Sequence, residues 1–250
     1  MIRKEQDGVE WLEFELFADC KLLKHGVFTR LGGVSSGTFG SLNVSSSVGD
    51  DPANTAENRR RIEHIIGAPL SRINMCHGKE ISFIDQFPYV QTPVCDAIAT
   101  DLSHIGLLIT HGDCQAAIFY DPIKNVVANA HSGWKGSVKN IYAEVVKALI
   151  NRYGCNPRDL MVGIAPSLGP EHAEFINYEQ ELPQHFLKYQ CKPVHFDFWQ
   201  ISKDQLMESG VLPSHIQIAG ICTYECEHDF FSYRRDKKSG RNATVARLLK

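Results

Sequence analysis

The side chains in this sequence that are best suited to chemistry are one cysteine and two histidines: Cys114, His131 and His77. A thiolate and two imidazoles together form a ligand set that suits Zn²⁺. Since the set supplies three protein ligands, a fourth tetrahedral position stays open for water or substrate, which is typical of catalytic rather than structural zinc sites. These residue types therefore indicate a catalytic metal centre.

The residues alone leave other interpretations open. Their spacing matches no zinc-finger or zinc-ribbon pattern, so a buried cysteine with two ordinary histidines also fits. Cys114 as a nucleophile with His131 as its base would make a metal-free cysteine hydrolase or amidase, although a metal explains His77 better. A non-enzymatic module that binds a metal or a nucleotide is a further alternative.

Several glycines lie within five residues of these side chains, where they permit close approach of the backbone to a ligand. They are Gly78, Gly112, Gly133 and Gly136.

Five apolar runs have the length of strands, and several are too apolar to be solvated on one face. They span residues 105–110, 116–120, 125–130, 160–164 and 216–221. Strands buried on both faces predict a layered protein of helices and sheets. Asp121-Pro122, between the second and third runs, is typical of a tight turn and predicts a hairpin, hence a mixed sheet. This hairpin would bring Cys114 and His131 together.

Helical periodicity is found in residues 54–66 and 137–153, and the second segment stops at Gly154. The Gly- and Ser-rich stretch 32–37 predicts a flexible loop rather than a boundary between domains. Because no repeat or linker divides the 250 residues, we expect a single catalytic domain, residues 1–250.

Composition and charge exclude several classes of function. A net charge of -3 gives no electrostatic case for nucleic acid, and the basic residues between 234 and 241 lie among acidic ones, as in a solvated turn. No apolar run approaches the length of a bilayer span and the N-terminus is charged, so we expect a cytoplasmic protein without membrane contact. The eight cysteines form no compact disulfide framework, which predicts reduced thiols. Nothing indicates an obligate assembly, and we expect a monomer.

Six motifs, taken in order along the chain, resemble the YfiH-like (laccase-domain) family. They are residues 29–35 (TRLGGVS), 77–78 (HG), 96–100 (DAIAT), 112–114 (GDC), 130–136 (AHSGWKG) and 230–236 (FFSYRRD). The resemblance extends over nearly the whole chain. It implies an α+β fold, a four-layer α/β/β/α sandwich with mixed sheets, similar to deamidase toxins of the cytotoxic necrotizing factor type.

The resemblance also implies a function. It places zinc on His77, Cys114 and His131, and purine nucleosides and phosphate as the small-molecule partners. The expected reactions are phosphorolysis of adenosine, inosine, guanosine and methylthioadenosine, and hydrolytic deamination of adenosine. In the deamination, water bound to the zinc would attack the purine at C6.

Four further residues are candidates for supporting roles at this site. We expect Arg30, beside a Gly-Gly turn, to contact phosphate or ribose, and Asn43 to position substrate through its amide; a surface arginine and a turn-forming asparagine are the structural alternatives. Asp113 is predicted to orient an imidazole through its second ring nitrogen, or else to cap a turn. Arg234 is a candidate for substrate binding, because it lies in a family-like segment that we expect to approach the pocket, as does Cys222.

The sequence departs from the family pattern in two places. Met75 and Cys76 stand where glutamine and valine are common, and the segment 163–170 lacks the cysteine and Tyr-Glu-Val that usually follow it. These changes leave the predicted zinc ligands intact and bear on the substrate range.

A copper-dependent phenol oxidase is disfavoured. Multicopper sites use His-X-His pairs, and no two of the eleven histidines are two residues apart. Copper could still occupy the zinc site adventitiously, because it competes well for nitrogen and sulfur ligands.

Overall fold

The computed structural model describes residues 1–88 and 91–250. Most strands of the described residues belong to two large sheets. The strands are β1 (Ile2–Gln6), β2 (Val9–Glu13), β3 (Leu23–Phe28), β4 (Leu70–Ser71), β5 (Ile81–Phe83), β6 (Ala97–Thr100), β7 (Gly106–His111), β8 (Gln115–Asp121), β9 (Val126–Ser132), β10 (Met161–Ile164), β11 (Gln190–Lys192), β12 (His195–Phe196), β13 (Ile216–Ile218) and β14 (Asn242–Leu248).

The α-helices of the described residues lie between groups of these strands in the chain. They are α1 (Pro52–Ile66), α2 (Trp134–Val138), α3 (Ile141–Tyr153), α4 (Tyr178–Glu181), α5 (Phe198–Glu208) and α6 (Tyr233–Asp236). None of the helices within residues 1–88 and 91–250 is both long enough and apolar enough to cross a bilayer.

Both large sheets are mixed, as predicted. The first has the order β1-β2-β3-β14-β7-β4 and the second β13-β10-β8-β9-β6-β5, while β11 and β12 form a separate pair. The pairs β4–β7, β5–β6 and β10–β13 are parallel, and the remaining neighbours are antiparallel. Because β14 lies between β3 and β7, the end of the chain completes the first sheet.

The two sheets pack against each other through apolar side chains. Val27 and Ile109 of the first sheet share one buried cluster with Ile98 and Ile118 of the second. Neighbouring residues point the opposite way, since side chains alternate along a strand. Each sheet therefore has an outer face that also needs cover.

Helices cover these outer faces. Ile62 and Ile66 of α1 pack with Leu108 on the first sheet, while Tyr142 of α3 and Leu206 of α5 pack on the outer side of the second. Strands β8 and β9 are consequently buried along their whole length, which confirms the prediction of strands buried on both faces.

The predicted hairpin is present. Strands β8 and β9 pair antiparallel, from Gln115 opposite Ser132 to Asp121 opposite Val126. The predicted helix 137–153, in contrast, is wrong as a single element. Asn140 adopts a left-handed conformation with φ 52, and its side chain accepts a hydrogen bond from the Ala143 N–H at 3.2 Å. A residue with this backbone ends α2 and caps the start of α3.

Candidate functional site

The β8–β9 hairpin brings Cys114 and His131 together, as the sequence predicted. Cys114 directly precedes the Gln115 that pairs with Ser132, so the cysteine lies at the open end of the hairpin beside Gly133. Cys114 is partly exposed, whereas the His131 side chain is 2% exposed. The hairpin therefore presents a thiol next to an imidazole that is almost sealed from water.

Asp96 connects the remaining histidine to this pair. The Asp96 Oδ1 atom lies 3.1 Å from Nδ1 of His131 and accepts a hydrogen bond from the His77 N–H at 3.0 Å. Its second oxygen accepts from the Gly78 N–H at 2.6 Å and from the Cys76 thiol at 2.9 Å. One buried carboxylate thus holds His131 by its ring and His77 by its backbone.

The three predicted zinc ligands surround Gly133. A Cβ atom placed on Gly133 would lie 3.2 Å from Sγ of Cys114, 3.6 Å from Nδ1 of His77 and 3.7 Å from Cε1 of His131. The rings of His77 and His131 meet edge to face with centroids 5.1 Å apart. Only glycine leaves this space free, and the donor set of two nitrogens and one sulfur suits zinc. In the described residues, the ligand atoms of these three side chains do not all lie within 4.8 Å of one another. Binding an ion would therefore draw them closer.

The surroundings of the site act in opposite directions on its two imidazoles. Burial alone lowers the pKa of His131, but the Cys114 charge and hydrogen bonds to Asp96 and Cys114 outweigh it and raise this pKa to about 9. Burial, together with the neighbouring His131 charge, lowers the pKa of His77. Burial opposes ionisation of Asp96, yet its hydrogen bonds from His131, Cys76 and Gly78 bring its pKa well below the ordinary value. His77 is therefore the more readily neutral of the two imidazoles.

A cavity of about 600 Å³ opens over the three predicted ligands. Its lining is mostly polar and carries three arginines, Arg59, Arg72 and Arg241, together with the serine run Ser45, Ser46 and Ser47. Cationic side chains and hydroxyls suit an anionic or hydroxyl-rich ligand such as phosphate or ribose.

Arg241 is a site residue that the sequence analysis assigned to a solvated turn. Asn242 pairs with His111 across β14 and β7, so Arg241 emerges beside Gly112, whose added Cβ would lie 3.2 Å from Arg241 Cδ. The guanidinium donates to the carbonyls of Ser239 and Gly240 at 2.9 and 3.0 Å. The basic run near the end of the sequence was the available signal, but only strand pairing shows which arginine enters the cavity.

His111 also lines the cavity. It is 1% exposed, and burial lowers its pKa to about 3, so the ring is neutral at physiological pH. Its Nε2 lies 2.9 Å from the Thr244 hydroxyl, while its Nδ1 has no hydrogen-bond partner in the described part of the chain. A neutral ring with one unpartnered nitrogen can donate or accept one hydrogen bond.

Arg30 lies outside the residues that line the cavity. Its guanidinium donates to the carbonyls of Gly40 at 2.9 Å and Glu227 at 3.2 Å and lies 4.5 Å from the Phe231 ring centre. The phosphate contact predicted for Arg30 is therefore not part of this geometry, because these contacts tie two loops together instead.

Asn43 is fully buried and acts on the cavity through the backbone. Its amide donates to Asp50 at 2.8 Å and to the Ser45 carbonyl at 3.1 Å, and its oxygen accepts from the N–H groups of Ser45 and Arg241 at 3.1 and 2.9 Å. Asn43 thereby positions two residues of the cavity wall, whereas the sequence analysis expected it to contact substrate.

Asp113 and Arg234 contact each other rather than an imidazole. Asp113 adopts φ 82, and its carboxylate accepts from the Thr223 hydroxyl at 2.7 Å and from the Arg234 N–H at 2.5 Å. The Arg234 guanidinium donates to the Glu174 carbonyl at 3.1 Å. The contact with an imidazole that was predicted for Asp113 is made by Asp96. In the sequence, Asp96 stood out only as part of the motif at residues 96–100.

Comparison with known proteins gives this site a context. The family model described as multi-copper polyphenol oxidoreductase laccase matches residues 24–249. The chain is 30% identical to the purine nucleoside phosphorylase YlmD of Geobacillus stearothermophilus, covering 90% of this chain and 87% of that protein. It is 29% identical to the purine nucleoside phosphorylase YfiH of Escherichia coli, covering 88% and 92%. The crystal structure of YlmD from Geobacillus stearothermophilus superposes with a TM-score of 0.87 at 27% identity, over 99% of this chain and 98% of that one.

Proposed function

The chain belongs to the multi-copper polyphenol oxidoreductase laccase family, in which YfiH and YlmD carry the name purine nucleoside phosphorylase, and we propose that it is a zinc-dependent purine nucleoside phosphorylase. The observation that carries the proposal is the convergence of His77, Cys114 and His131 on the free space beside Gly133, at the floor of the arginine-lined cavity. Purine nucleosides are chosen as the substrate because the relatives carry the name purine nucleoside phosphorylase.

His77, Cys114 and His131 would hold the zinc ion. When bound, zinc supplies Lewis acidity at a position facing the cavity. Asp96 accepts the hydrogen bond of His131 Nδ1, which leaves Nε2 as the nitrogen for a metal or a proton. Because Asp96 is itself held by His77, Gly78 and Cys76, rotation of the His131 ring would break its hydrogen bond to a carboxylate that cannot follow it.

Phosphorolysis requires a binding region for the phosphate anion in addition to the zinc ligands. In this reaction a phosphate oxygen forms a bond to ribose C1′ while the bond from C1′ to the purine breaks, and the purine leaves with the electron pair and takes up a proton. We assign the phosphate contact to Arg241, in place of Arg30, because Arg241 lines the cavity. Arg59, which donates to the Val44 carbonyl at 2.9 Å, lies on the same wall.

The substrate range that we propose comprises adenosine, inosine, guanosine and methylthioadenosine for phosphorolysis, with hydrolytic deamination of adenosine as a second reaction. A zinc site with one open ligand position supports the deamination, since water addition at purine C6 with loss of ammonia is the chemistry of zinc deaminases. The polar wall of the cavity supports binding of a ribose.

A metal-free cysteine hydrolase is the second candidate function. Against the lowering effect of burial, the Cys114 charge and hydrogen bonds to Asp96 and Cys114 raise the pKa of His131 to about 9. A cysteine beside an imidazole is the arrangement found in cysteine nucleophiles. Loss of amidase activity on alkylation of Cys114, in protein purified without chelator and free of zinc, would favour this candidate.

The remaining parts of the proposal concern the protein as a whole. We propose a four-layer α/β/β/α sandwich related to the deamidase toxins, which is supported by apolar clusters on both faces of each sheet. We also propose a single catalytic unit over residues 1–250, a cytoplasmic monomer, and zinc rather than copper as the metal. The pairing of β14 with β3 and β7 supports the single unit, and the free thiols of all eight cysteines support the cytoplasmic location.

Product analysis tests the reaction. Zinc-loaded protein is incubated with each nucleoside, with and without phosphate, and the products are separated by chromatography. The proposal predicts a free purine and ribose 1-phosphate only when phosphate is present. Release of the purine at an equal rate without phosphate would contradict phosphorolysis and indicate hydrolysis.

A further inference from the structure

We propose a second metal site, formed by His172, Cys222 and Glu225 and suited to zinc. In the described residues these three side chains offer ligand atoms that all lie within 4.8 Å of one another. The inference goes beyond the proposed function and does not depend on it, because none of the three residues lines the cavity over Cys114.

The ligand atoms are of three kinds. His172 Nε2 lies 3.0 Å from Glu225 Oε1, and the Cys222 sulfur completes the group. Imidazole nitrogen, carboxylate oxygen and thiolate sulfur all bind zinc at about 2.0–2.3 Å. Three protein ligands with a water as the fourth would complete a tetrahedral shell, and the exposure of Glu225 gives water access.

The backbone around Cys222 holds the sulfur atom in place. Cys222 is 7% exposed, and its sulfur accepts a hydrogen bond from the Gly169 N–H at 3.2 Å. This hydrogen bond fixes the position of the sulfur. A Cβ on Gly169 would lie 3.1 and 3.2 Å from the Cβ and Sγ of Cys222 and 3.2 Å from the Trp199 ring, so glycine keeps this approach open.

The histidine is held in position by its own contacts. The His172 ring stacks on Tyr224 with centroids 4.1 Å apart and planes 18° from parallel. The backbone N–H of His172 donates to the Gly169 carbonyl at 3.0 Å, so the same glycine positions both the histidine and the cysteine. His172 lies two residues after the segment 163–170, where the sequence departs from the family pattern.

The second site is connected to the first through one hydrogen bond. Thr223, next to Cys222, donates to Asp113 at 2.7 Å, and Asp113 precedes Cys114. A metal at the second site would fix the loop that carries Thr223 and would thereby steady the backbone at the predicted catalytic cysteine.

Zinc stoichiometry separates the two sites. The experiment measures zinc per chain by elemental analysis after gel filtration, in the full-length protein and in a Cys114→Ala variant. We expect about one zinc ion to remain in Cys114→Ala and to be lost when Cys222→Ser or His172→Gln is added. Cys226→Ser lies on the same loop outside the group and is the matched control, which should keep the remaining ion.

Cobalt gives a second readout that does not depend on activity. In the Cys114→Ala background, Co²⁺ should produce a thiolate-to-cobalt absorption band that disappears with Cys222→Ser. If Cys222→Ser unfolds, His172→Gln and Glu225→Gln test the site instead, since His172 is only partly buried and Glu225 is exposed. Circular dichroism establishes whether each variant is folded. Unchanged zinc content and an unchanged cobalt spectrum in His172→Gln would overturn the second site. A chain that binds zinc only at the second site would contradict the proposed function and leave this inference standing.

Discussion

Oδ1 of Asp96 lies 3.1 Å from Nδ1 of His131, and both side chains are at most 2% exposed. The pairing follows from strand register, because Ala97 lies opposite Ala130 in the β6–β9 ladder and the next residues are brought together. A carboxylate in this position fixes which nitrogen of the imidazole faces a metal. The site thus depends on a residue that makes no predicted contact with zinc or substrate.

Asp96→Asn is expected to weaken zinc binding by about 10–100-fold, the usual effect of losing a carboxylate that orients a metal-bound histidine. Asparagine keeps the shape of the Asp96 side chain but removes the negative charge that favours a proton on Nδ1 of His131. Competition with a chromogenic chelator measures the affinity. Asp85→Asn, at an exposed carboxylate that pairs with Arg152 at 2.9 Å, is the control and should leave it unchanged. Equal zinc affinity in both variants would contradict the role assigned to Asp96.

Gly133→Ala is expected to weaken zinc binding at the Cys114 site while the protein stays folded. Gly133 has φ -78, which alanine adopts without strain, so the added methyl group acts through its contact 3.2 Å from the Cys114 sulfur. Elemental analysis and thermal unfolding are measured together. Gly136→Ala, three residues along, serves as control because its nearest neighbour is the Ser132 hydroxyl at 3.3 Å. Full zinc content in Gly133→Ala would show that the ligands do not converge there.

Arg241→Gln is expected to raise the KM for phosphate by about 10-fold, which corresponds to one lost charged hydrogen bond. Arg30→Gln should leave that KM unchanged and lower the thermal midpoint, because Arg30 binds the Gly40 and Glu227 carbonyls. Steady-state kinetics at varied phosphate, with thermal unfolding of each variant, distinguish the two. A raised KM in Arg30→Gln with no change in Arg241→Gln would restore the assignment made from sequence.

His25 makes the protein less stable in acid. Burial lowers its pKa from 6.5 to about 4, and the ring nitrogen accepts the Phe14 N–H at 2.8 Å. Between these two pH values the unfolded chain binds a proton that the folded chain does not, so the free energy of unfolding falls as pH falls from about 6.5 to about 4, by at most about 3 kcal/mol.

Urea denaturation at pH 7 and pH 5 checks this expectation. His25→Gln keeps an acceptor for the Phe14 N–H but does not titrate, so its loss of stability between the two pH values should be smaller than that of the wild type. His111, whose pKa burial lowers to about 3, contributes in the same direction in both proteins. Equal losses in wild type and His25→Gln would refute the assignment to His25.

The centre of the fold could be predicted from sequence because its signals are local. The runs that became β8 and β9 are continuously apolar, and Asp121-Pro122 between them marks the turn, so the hairpin and the meeting of Cys114 with His131 followed. The predicted strand 216–221 ended early, at Ile218, because Gly220 has φ 63 and the Ile221 carbonyl accepts the Ser167 N–H at 3.2 Å.

The rest of the site depends on contacts between distant parts of the chain. Asp96 is recognisable as a ligand-orienting carboxylate only when β6 is paired with β9, and Arg241 enters the cavity only because β14 is inserted between β3 and β7. Arg30, Asn43 and Asp113 have residue types suited to binding, but their polar groups are satisfied by loops that sequence could not place. Residue type predicts chemical capacity, and strand register decides where it is used.

Cys114→Ala gives the most direct test of the central claim that this cysteine holds a catalytic zinc ion. Zinc content and phosphate-dependent cleavage of inosine are measured on single preparations of the wild type, Cys114→Ala and the control Cys191→Ala, whose cysteine is exposed. We predict that Cys114→Ala alone loses zinc from this site together with purine release. Purine release at the wild-type rate in Cys114→Ala would contradict the claim.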